Sequence, residues 1–404
     1  MLSAGIHPSA LTDAHKSALY PVKGKSTRSL TSKRDLLILQ IDKLNLRDKT
    51  YAGKRLHYQM AESKNNARKS VTVRDVARLA GVSQSTVSRV LNPNSDSVVS
   101  ISEETIKRVH EAAAQLGYRP NLAARGLRGQ KTQLIAVMIA DIANPYYHIM
   151  LRKVQEIARA RDYDVILADT NHDPHNERLF VEGILRRPVD GVILMPYHLE
   201  ENDVKRLVDR TGAPVVVVSR RYRYDGVDHV YADDGQGAYD ATRWLITRRA
   251  HRRIAFIGVP NTSPGERRLS AFRQAMSESR LPVPDAYVKS GDFTSEAGER
   301  AMEELMSLPE PPTAVFACND LMGLGCIMRA KAMGLSIPRD VAVVGFDDIP
   351  QASWISPKLT TVSQHPLEIG QRLAQALFER IDGIECGPGR DFKIPCHLVV
   401  RESA

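Results

Sequence analysis

Cysteine is scarce in this chain of 404 residues. Only Cys318, Cys326, Cys386 and Cys396 occur, and no two of them form a Cys-x-x-Cys pair. This pattern excludes a disulfide scaffold and a zinc finger, and it suits a reducing compartment. We therefore predict a protein of the cytoplasm.

Long apolar runs are also missing. No stretch approaches the roughly 18 consecutive apolar residues of a membrane span, and the N-terminus lacks the apolar core of a signal peptide. These absences argue against a membrane protein and against a secreted one. The length favours two or three folded units, since one domain usually has about 100–200 residues.

The common motifs of catalysis and cofactor binding are absent as well. No Gly-x-Gly-x-x-Gly follows the first predicted strand, and there is no phosphate loop, no Gly-x-Ser-x-Gly and no His-Glu-x-x-His. The 12 histidines are dispersed, and we expect His172 and His175, in a polar loop, to be solvated. We predict no metal, no cofactor and no enzymatic activity, although an enzyme on a similar fold stays an alternative.

The positive charge is concentrated at the front of the chain, which carries a formal net charge of +9. Residues 1–70 contain 14 Lys and Arg against 5 Asp and Glu, and residues 71–131 contain 9 against 5. The rest is mildly acidic, with 33 basic and 37 acidic residues. This asymmetry indicates a front that binds a polyanion, with a solvated charged face as the alternative.

Residues 1–70 show no sustained hydrophobic period, which predicts a loosely ordered basic extension. Met60 precedes the first clear fold signal, so a translation start at Met60 is the alternative interpretation.

Residues 71–118 have the pattern of a helix-turn-helix. Thr72 and Asp75 form a capping box, Gly81 permits a tight turn, and Ser83 caps a second helix. A third helix begins at Ser102 and ends at Gly117. The predicted inward positions are Val76, Leu79, Ala80, Val87, Val90, Leu91, Ile106, Val109, Ala113 and Leu116.

The second helix presents three polar side chains away from its apolar stripe: Gln84, Ser85 and Arg89. Arginine pairs naturally with guanine and glutamine with adenine in the major groove. This pattern predicts base reading in double-stranded DNA, and exposed polar residues on an ordinary helix pair are the alternative.

The following segment, Gly117-Tyr-Arg-Pro120-Asn121-Leu-Ala-Ala124-Arg125-Gly-Leu127, completes a pattern that resembles the lactose-repressor/galactose-repressor family of bacterial transcription factors. The resemblance implies a homodimer, or a tetramer, on a near-palindromic operator. It implies that residues 119–130 form a hinge whose contacts lie in the minor groove, through Asn121, Ala124, Arg125 and Leu127. It also assigns phosphate contacts to Thr72, Ser83, Thr86 and Ser88.

Residues 131–404 alternate buried-type strands with amphipathic helices, which indicates an α/β fold with parallel sheets covered on both faces. The predicted strands are Leu134–Ala140, Val165–Ala168, Gly191–Leu194, Val215–Val218, Ile254–Ile257, Ala314–Ala317 and Val341–Val344; helices are predicted at Tyr146–Arg161, Gly235–Thr247 and Arg268–Ser279. So many elements favour two doubly wound lobes with a cleft between them. The resemblance agrees: it implies a body like a periplasmic sugar-binding protein, with three crossovers, which binds the effector and forms the dimer.

The resemblance places effector contacts at eight positions: Asn144, Tyr146, Tyr147, Arg268, Phe293, Asn319, Asp347 and Gln364. Their amide, carboxylate, guanidinium and aromatic groups suit a small polar ligand such as a sugar or a nucleoside. Helix capping is the alternative role for Asn144 and Asn319, and helix-start packing is the alternative for one of the two tyrosines. Arg268 and Asp347 are expected at strand ends, facing a ligand or each other.

One departure from the family pattern concerns the ligand. Ser219 stands where many sugar-responsive relatives carry aspartate, so the effector is left open between a sugar, a sugar phosphate and a nucleoside. The run Arg220-Arg221-Tyr222-Arg223 favours an anionic effector or is a surface cluster. A solute-binding protein with the same body, but without DNA binding, is the remaining alternative function.

Overall fold

The computed structural model describes residues 71–91, 101–118, 131–222 and 224–404. They fall in two compact units with a boundary between Pro120 and Asn121. The basic extension of residues 1–70 and the hinge positions Asn121, Ala124, Arg125 and Leu127 lie outside the described residues. The predicted α/β class, with a helix-turn-helix and a two-lobed body, is confirmed.

The headpiece, residues 71–118, consists of three helices: α1 (Val73–Ala80), α2 (Gln84–Val90) and α3 (Glu103–Leu116). Gly81 ends α1 with a φ of +65°, a left-handed conformation that glycine adopts at little cost. All three helices pack on a small core of Val76, Ala77, Ala80, Val87, Val109, Ala112 and Ala113. The chain therefore turns sharply and places α2 across α1.

Two of the predicted core positions in the headpiece are wrong. Leu79 is 46% exposed and Ile106 is 37% exposed, whereas Ala77 and Ala112 are buried. Small side chains let the helices approach closely, so alanine positions form part of the buried face. A hydrophobicity pattern ranks alanine below leucine and isoleucine, and it therefore missed these positions.

The first lobe is built on a six-stranded parallel sheet with the strand order β11-β5-β4-β3-β1-β2. Its strands are β1 (Leu134–Ile139), β2 (Asp164–Asp169), β3 (Gly191–Leu194), β4 (Val215–Val217), β5 (Asp228–Ala232) and β11 (Asp391–Ile394). Its helices are α4 (Pro145–Arg159), α5 (Pro174–Ile184), α6 (Glu201–Thr211) and α11 (Pro366–Ile381). Helices α4 and α11 pack together, and α5 packs against α6.

The second lobe has a four-stranded parallel sheet with the order β7-β6-β8-β9. Its strands are β6 (Ile254–Gly258), β7 (Val288–Ser290), β8 (Ala314–Ala317) and β9 (Ala342–Val344), and its helices are α7 (Asp234–Thr247), α8 (Ser263–Glu278), α9 (Ser295–Met306) and α10 (Asp320–Ala332). An antiparallel pair, β10 (Thr361–Ser363) and β12 (His397–Val399), lies beside β9 through a bridge between Val344 and Thr360. Short 3₁₀ turns occur at Asp285–Tyr287 and Pro350–Ser353.

The chain passes between the lobes three times: after β5, between β10 and α11, and between β11 and β12. The resemblance implied this connectivity. Because loops at the carboxyl ends of both parallel sheets meet at such a junction, polar side chains far apart in the sequence come together there.

The strands that sequence reasoning missed are short or contain charged residues. β5 begins at Asp228, a fully buried carboxylate that Arg380 and Arg390 neutralise at 2.6 and 2.7 Å. A charge at a buried strand position conceals the hydrophobic pattern, and its partners come from distant segments. The prediction for α8 began at Arg268, but the helix begins at Ser263, so Arg268 lies within a helix and not at a strand end.

Candidate functional site

The first candidate site is the outer face of α2. Ser83 caps this helix, because its hydroxyl oxygen accepts a hydrogen bond from the Thr86 amide at 3.1 Å. Val87 is buried against the headpiece core, which turns Gln84, Ser85 and Arg89 outward, and all three are exposed. The helix therefore presents an amide, a hydroxyl and a guanidinium side by side, the groups that bond base edges.

Three of the four predicted phosphate-contact residues, Thr72, Ser83 and Thr86, lie at the starts of α1 and α2, whereas Ser88 lies in the second half of α2. The hydroxyl of Ser83 lies 2.7 Å from that of Ser85 and 2.8 Å from that of Thr86. Thr72 donates from its amide at 3.0 Å and from its hydroxyl at 2.7 Å to one carboxylate oxygen of Asp75. These bonds hold the pKa of Asp75 below its usual value. Amide and hydroxyl donors at helix N-termini suit phosphate oxygens, but Asp75 already accepts both donors of Thr72.

The second candidate site is a cavity between the two lobes of the body, hereafter the interlobe cavity. Seven of the eight predicted effector positions line it. They are Asn144, Tyr146, Tyr147, Arg268, Phe293, Asp347 and Gln364. The eighth, Asn319, is almost fully buried beside the cavity and does not belong to its lining.

Both asparagines cap helices, as the alternative interpretation held. Asn144 accepts the Tyr146 amide at 3.0 Å, and Asn319 accepts the Met322 amide at 3.0 Å. Asn319 also donates from its amide nitrogen to the carbonyl of Phe293 at 2.9 Å. Asn319 thus fixes the backbone that carries Phe293, which has a left-handed φ of +70°.

A buried polar cluster of Arg268, Asp347 and Gln364 forms one wall of the cavity. Gln364 donates from Nε2 to Oδ1 of Asp347 at 2.6 Å, and Nη1 of Arg268 lies 4.0 Å from the same oxygen. Arg268 also donates to the carbonyl of Cys318 at 2.5 Å and lies over the Phe346 ring at 3.8 Å. Each of the three cluster residues is 5% exposed. Arg268 and Asp347 were expected to face a ligand or each other, and in the structure they lie next to each other on the cavity wall.

Burial governs the protonation of this cluster. Removal from water raises the pKa of Asp347 well above its usual value, against the opposing effect of Arg268. Arg268 stays charged, because Asp234 lies 3.5 Å from its Nε and Asp347 lies nearby. The cavity therefore holds a fixed cation beside a carboxyl group that resists ionisation. A ligand hydroxyl or amide that donates to Asp347 would favour its charged form.

The two tyrosines start α4 and are both buried, with ring centroids 5.3 Å apart in an edge-to-face arrangement. Both Tyr146 and Tyr147 line the cavity. Each of them can therefore pack at the helix start and also face a ligand. The hydroxyls of Tyr147 and Tyr197 lie 2.9 Å apart. Burial is the main cause that raises the pKa of the Tyr147 and Tyr197 phenols. Both phenols therefore stay neutral and can donate hydrogen bonds.

Sequence reasoning missed several residues of the lining, including Tyr197, Asp234 and Arg267. Asp234 accepts a bidentate ion pair from Arg267 at 2.8 and 2.9 Å at the start of α7. An Asp at a helix start reads as an ordinary cap in the sequence, so no local signal distinguishes it. His172 was also assigned wrongly: it lines the cavity and is not a solvated loop residue.

A buried carboxylate, Glu177, organises the loop that carries Tyr197. Glu177 lies in the first turn of α5 and is fully buried. It accepts the amides of Tyr197 at 2.8 Å, His198 at 2.9 Å and Leu199 at 2.7 Å. Three charge-assisted bonds to consecutive amides fix this loop at the cavity wall.

Ser219 also lines the cavity, where its hydroxyl accepts the Arg221 amide at 3.0 Å. Arg220 is exposed and lies over the Tyr231 ring at 4.9 Å, outside the lining. Within the part of the chain that the structure describes, no group of three metal-ligating side chains occurs. No helix in those same ranges has the length and apolarity needed to cross a membrane.

Comparison with known proteins identifies both units. Residues 72–121 match the bacterial regulatory proteins of the lacI family, and residues 244–404 match the periplasmic binding protein-like domain. The chain is 34% identical over 336 residues to catabolite control protein A of Priestia megaterium, covering 83% of this chain and 99% of that protein. It is 33% identical over 337 residues to the HTH-type transcriptional repressor CytR of Escherichia coli K12, covering 83% and 96%.

Solved structures give the same result. The lac repressor dimer bound to operator and the anti-inducer ONPF aligns with a TM-score of 0.72 and 26% identity, covering 83% of this chain and 99% of that one. A complex of the transcriptional regulator CelR with cellobiose aligns with a TM-score of 0.61 and 33% identity, covering 83% and 100%. Since full-length relatives match from the headpiece to the end of the body, the chain belongs to the lacI family of bacterial regulatory proteins and is a DNA-binding transcriptional regulator.

Proposed function

We propose that the protein is a cytoplasmic repressor whose operator affinity is set by a small polar effector in the interlobe cavity. The observation that carries this proposal is the buried cluster of Arg268, Asp347 and Gln364 at the junction of the two lobes. Charged and polar groups are costly inside a protein unless they serve a ligand or each other. Here they face a cavity that both lobes line.

The effector class that suits this cavity is a sugar, a sugar derivative or a nucleoside. Hydroxyl and amide groups of such ligands bond carboxyl, amide and guanidinium groups, and Phe293 and the tyrosines offer flat apolar faces. Relatives support the class, since similar structures contain cellobiose in one case and ribose in another. Arg220 lies outside the lining, so it gives no support to an anionic ligand, and the two arginines that line the cavity, Arg267 and Arg268, are both paired with Asp234.

The DNA-binding half of the proposal assigns base reading to Gln84, Ser85 and Arg89 and phosphate contacts to Thr72, Ser83, Thr86 and Ser88. Asn121, Ala124, Arg125 and Leu127 form the minor-groove hinge. Two copies of the chain bind a near-palindromic operator, because a two-fold dimer reads two half-sites. A tetramer is the alternative assembly. Effector binding changes the angle between the lobes and so the operator affinity, a coupling of about 1–3 kcal/mol.

Selection from a random pool of double-stranded DNA tests the base-reading assignment. Arg89→Ala should weaken binding to the selected site by about 1–3 kcal/mol and relax preference at one base pair in each half-site. Arg108→Ala is the matched control, since Arg108 is an exposed arginine on α3 and not on α2. If Arg89→Ala and the wild type select identical sites, the assignment of Arg89 is wrong.

Calorimetric titration with ribose, cellobiose, adenosine and cytidine tests the effector half. We expect one class to bind the wild type and to change its operator affinity in a gel-shift assay. Asp347→Ala should abolish that binding without loss of the dimer, because Asp347 contributes to the cavity wall. If no compound binds, the proposed effector class is wrong, although the DNA-binding assignment stands.

A further inference from the structure

His172 is held rigidly at the mouth of the first lobe. It follows β2 with a left-handed φ of +55°, its amide donates to the carbonyl of Ala140 at 2.9 Å, and its carbonyl lies 3.1 Å from Nε2 of His198. Backbone bonds to two neighbouring segments fix the main chain of His172. The ring itself is positioned by its contacts with Tyr197 and Phe293.

The imidazole ring joins the two lobes across the cavity. It stacks on Phe293 of the second lobe, with centroids 5.1 Å apart and an interplanar angle of 20°. Tyr197 of the first lobe meets His172 edge-on at 4.9 Å and Phe293 edge-on at 5.9 Å. Three flat rings thus form one corner of the interlobe cavity, hereafter the aromatic corner.

Both ring nitrogens of His172 are shielded from water, and within the described residues neither has a hydrogen-bond partner. Two unsatisfied nitrogens on one buried ring are unfavourable, and native proteins rarely leave them without a reason. Burial also lowers the pKa of His172, against the attraction of Asp141, Glu177 and Asp169, so the ring is neutral near pH 7. A neutral imidazole offers one N–H donor and one acceptor nitrogen.

We propose that His172 is an effector-contacting residue that selects ligands carrying a hydrogen-bond donor and an acceptor close together beside a flat face. The proposal rests on the proposed function, because it assumes that the effector enters the interlobe cavity. Two ligand types share this chemistry. One is the edge of a nucleobase stacked in the aromatic corner, and the other is a pair of neighbouring sugar hydroxyls above the rings.

The test compares His172→Phe with His172→Gln. Phenylalanine keeps a flat ring but removes both nitrogens, whereas glutamine keeps a donor and an acceptor without the ring. His175→Phe is the control, because His175 is an exposed histidine three residues away and does not line the cavity. Each variant is titrated as the full chain with ribose, cellobiose, adenosine and cytidine, and its melting temperature is measured without ligand.

We expect His172→Phe to bind the wild-type ligand at least 10-fold more weakly while its ligand-free melting temperature stays the same or rises. His172→Gln should retain more ligand affinity than His172→Phe. A preference for adenosine or cytidine identifies the nucleobase edge, and a preference for ribose or cellobiose identifies the hydroxyl pair.

Unchanged ligand affinity in His172→Phe overturns the proposal while the proposed function stands. If no compound binds the wild type, or if Asp347→Ala binds ligand as the wild type does, the proposed function fails and this proposal fails with it.

Discussion

Asp347 lies between Arg268 and Gln364 with a backbone φ of +122°, far outside the range that a non-glycine residue prefers. Its amide donates to the carbonyl of Val362 at 2.8 Å, which helps to hold this conformation. Strained backbone of this kind costs about 1–3 kcal/mol and persists where the surrounding structure compensates for it. The strain and the buried carboxyl group coincide at the cavity wall, which supports a binding role for Asp347.

Asp347→Asn should change how stability depends on pH. The native pKa of Asp347 is raised, so the unfolded chain releases this proton first as the pH increases above about 4. Stability is therefore lost as the pH rises from there toward the native pKa, and asparagine removes that loss. Urea denaturation at pH 5 and pH 8 should reveal a smaller decrease for Asp347→Asn than for the wild type. An equal decrease in both proteins would contradict the raised pKa.

At the scale of elements, short segments are fixed by single polar residues. Glu177 in α5 holds the loop of residues 197–199, and Asn319 at the start of α10 holds the backbone of Phe293. Both residues act on the aromatic corner without belonging to the cavity lining. The corner is therefore built by helix starts that bond to neighbouring loops, one in each lobe.

Glu177→Gln should loosen the loop that carries Tyr197. Glutamine has one acceptor oxygen in place of two charged ones, so at least one amide loses its partner, at a cost of about 1–3 kcal/mol. Urea denaturation and hydrogen exchange of the amides of residues 197–199 measure the effect. Glu182→Gln is the control on the same helix, since its pair with Arg206 is about half exposed and contributes at most about 1 kcal/mol. Unchanged exchange at residues 197–199 would refute this role.

Gly81→Ala should destabilise the headpiece by about 1–2 kcal/mol, because alanine pays a steric cost at a φ of +65° although no atom lies within 4 Å of its Cβ. Gly183→Ala is the comparison, because we expect it to change stability in the opposite direction. Gly183 lies inside α5 with equally open space and without a positive φ, so alanine there should stabilise the body by about 0.5–1 kcal/mol. Thermal denaturation of the full chain checks both. A Gly81→Ala protein at least as stable as the wild type would show that the turn does not require glycine.

At the scale of the whole molecule, regulation needs a link between the cavity and the DNA. In the proposed function, the two lobes change their angle at the three crossovers while each sheet stays intact. A ligand that contacts both lobes then favours one angle, and its differential affinity sets how far the equilibrium moves. The hinge of residues 119–130 is the segment that would carry this change to the operator.

Leu127→Ala should reduce the bend at the centre of the operator, since a smaller side chain separates the base step less. A circular-permutation gel shift measures the bend angle, and binding to the half-sites should persist because Gln84, Ser85 and Arg89 are unaltered. Full bending by Leu127→Ala would rule out the minor-groove role proposed for Leu127.

The sequence by itself determined the features that depend on neighbouring residues. Thr72, Gly81 and Ser83 mark the helix ends of the headpiece because capping and turn preferences act over three or four positions. The strands β1, β3, β6 and β8 were predicted because each is a continuous apolar run. The predicted cavity residues, Phe293 included, were assigned from resemblance to the family and not from local pattern alone.

Only the tertiary structure decided which of these residues meet and in what state. β5 and β11 pair although they are far apart in the chain, and the stack of His172 on Phe293 joins loops from opposite lobes. Local patterns carry no information on such pairs, because the contact depends on how two sheets are connected. Protonation likewise depends on the tertiary structure. Burial lowers the pKa of His172 and raises the pKa of Asp347, and the sequence alone does not show which residues are buried.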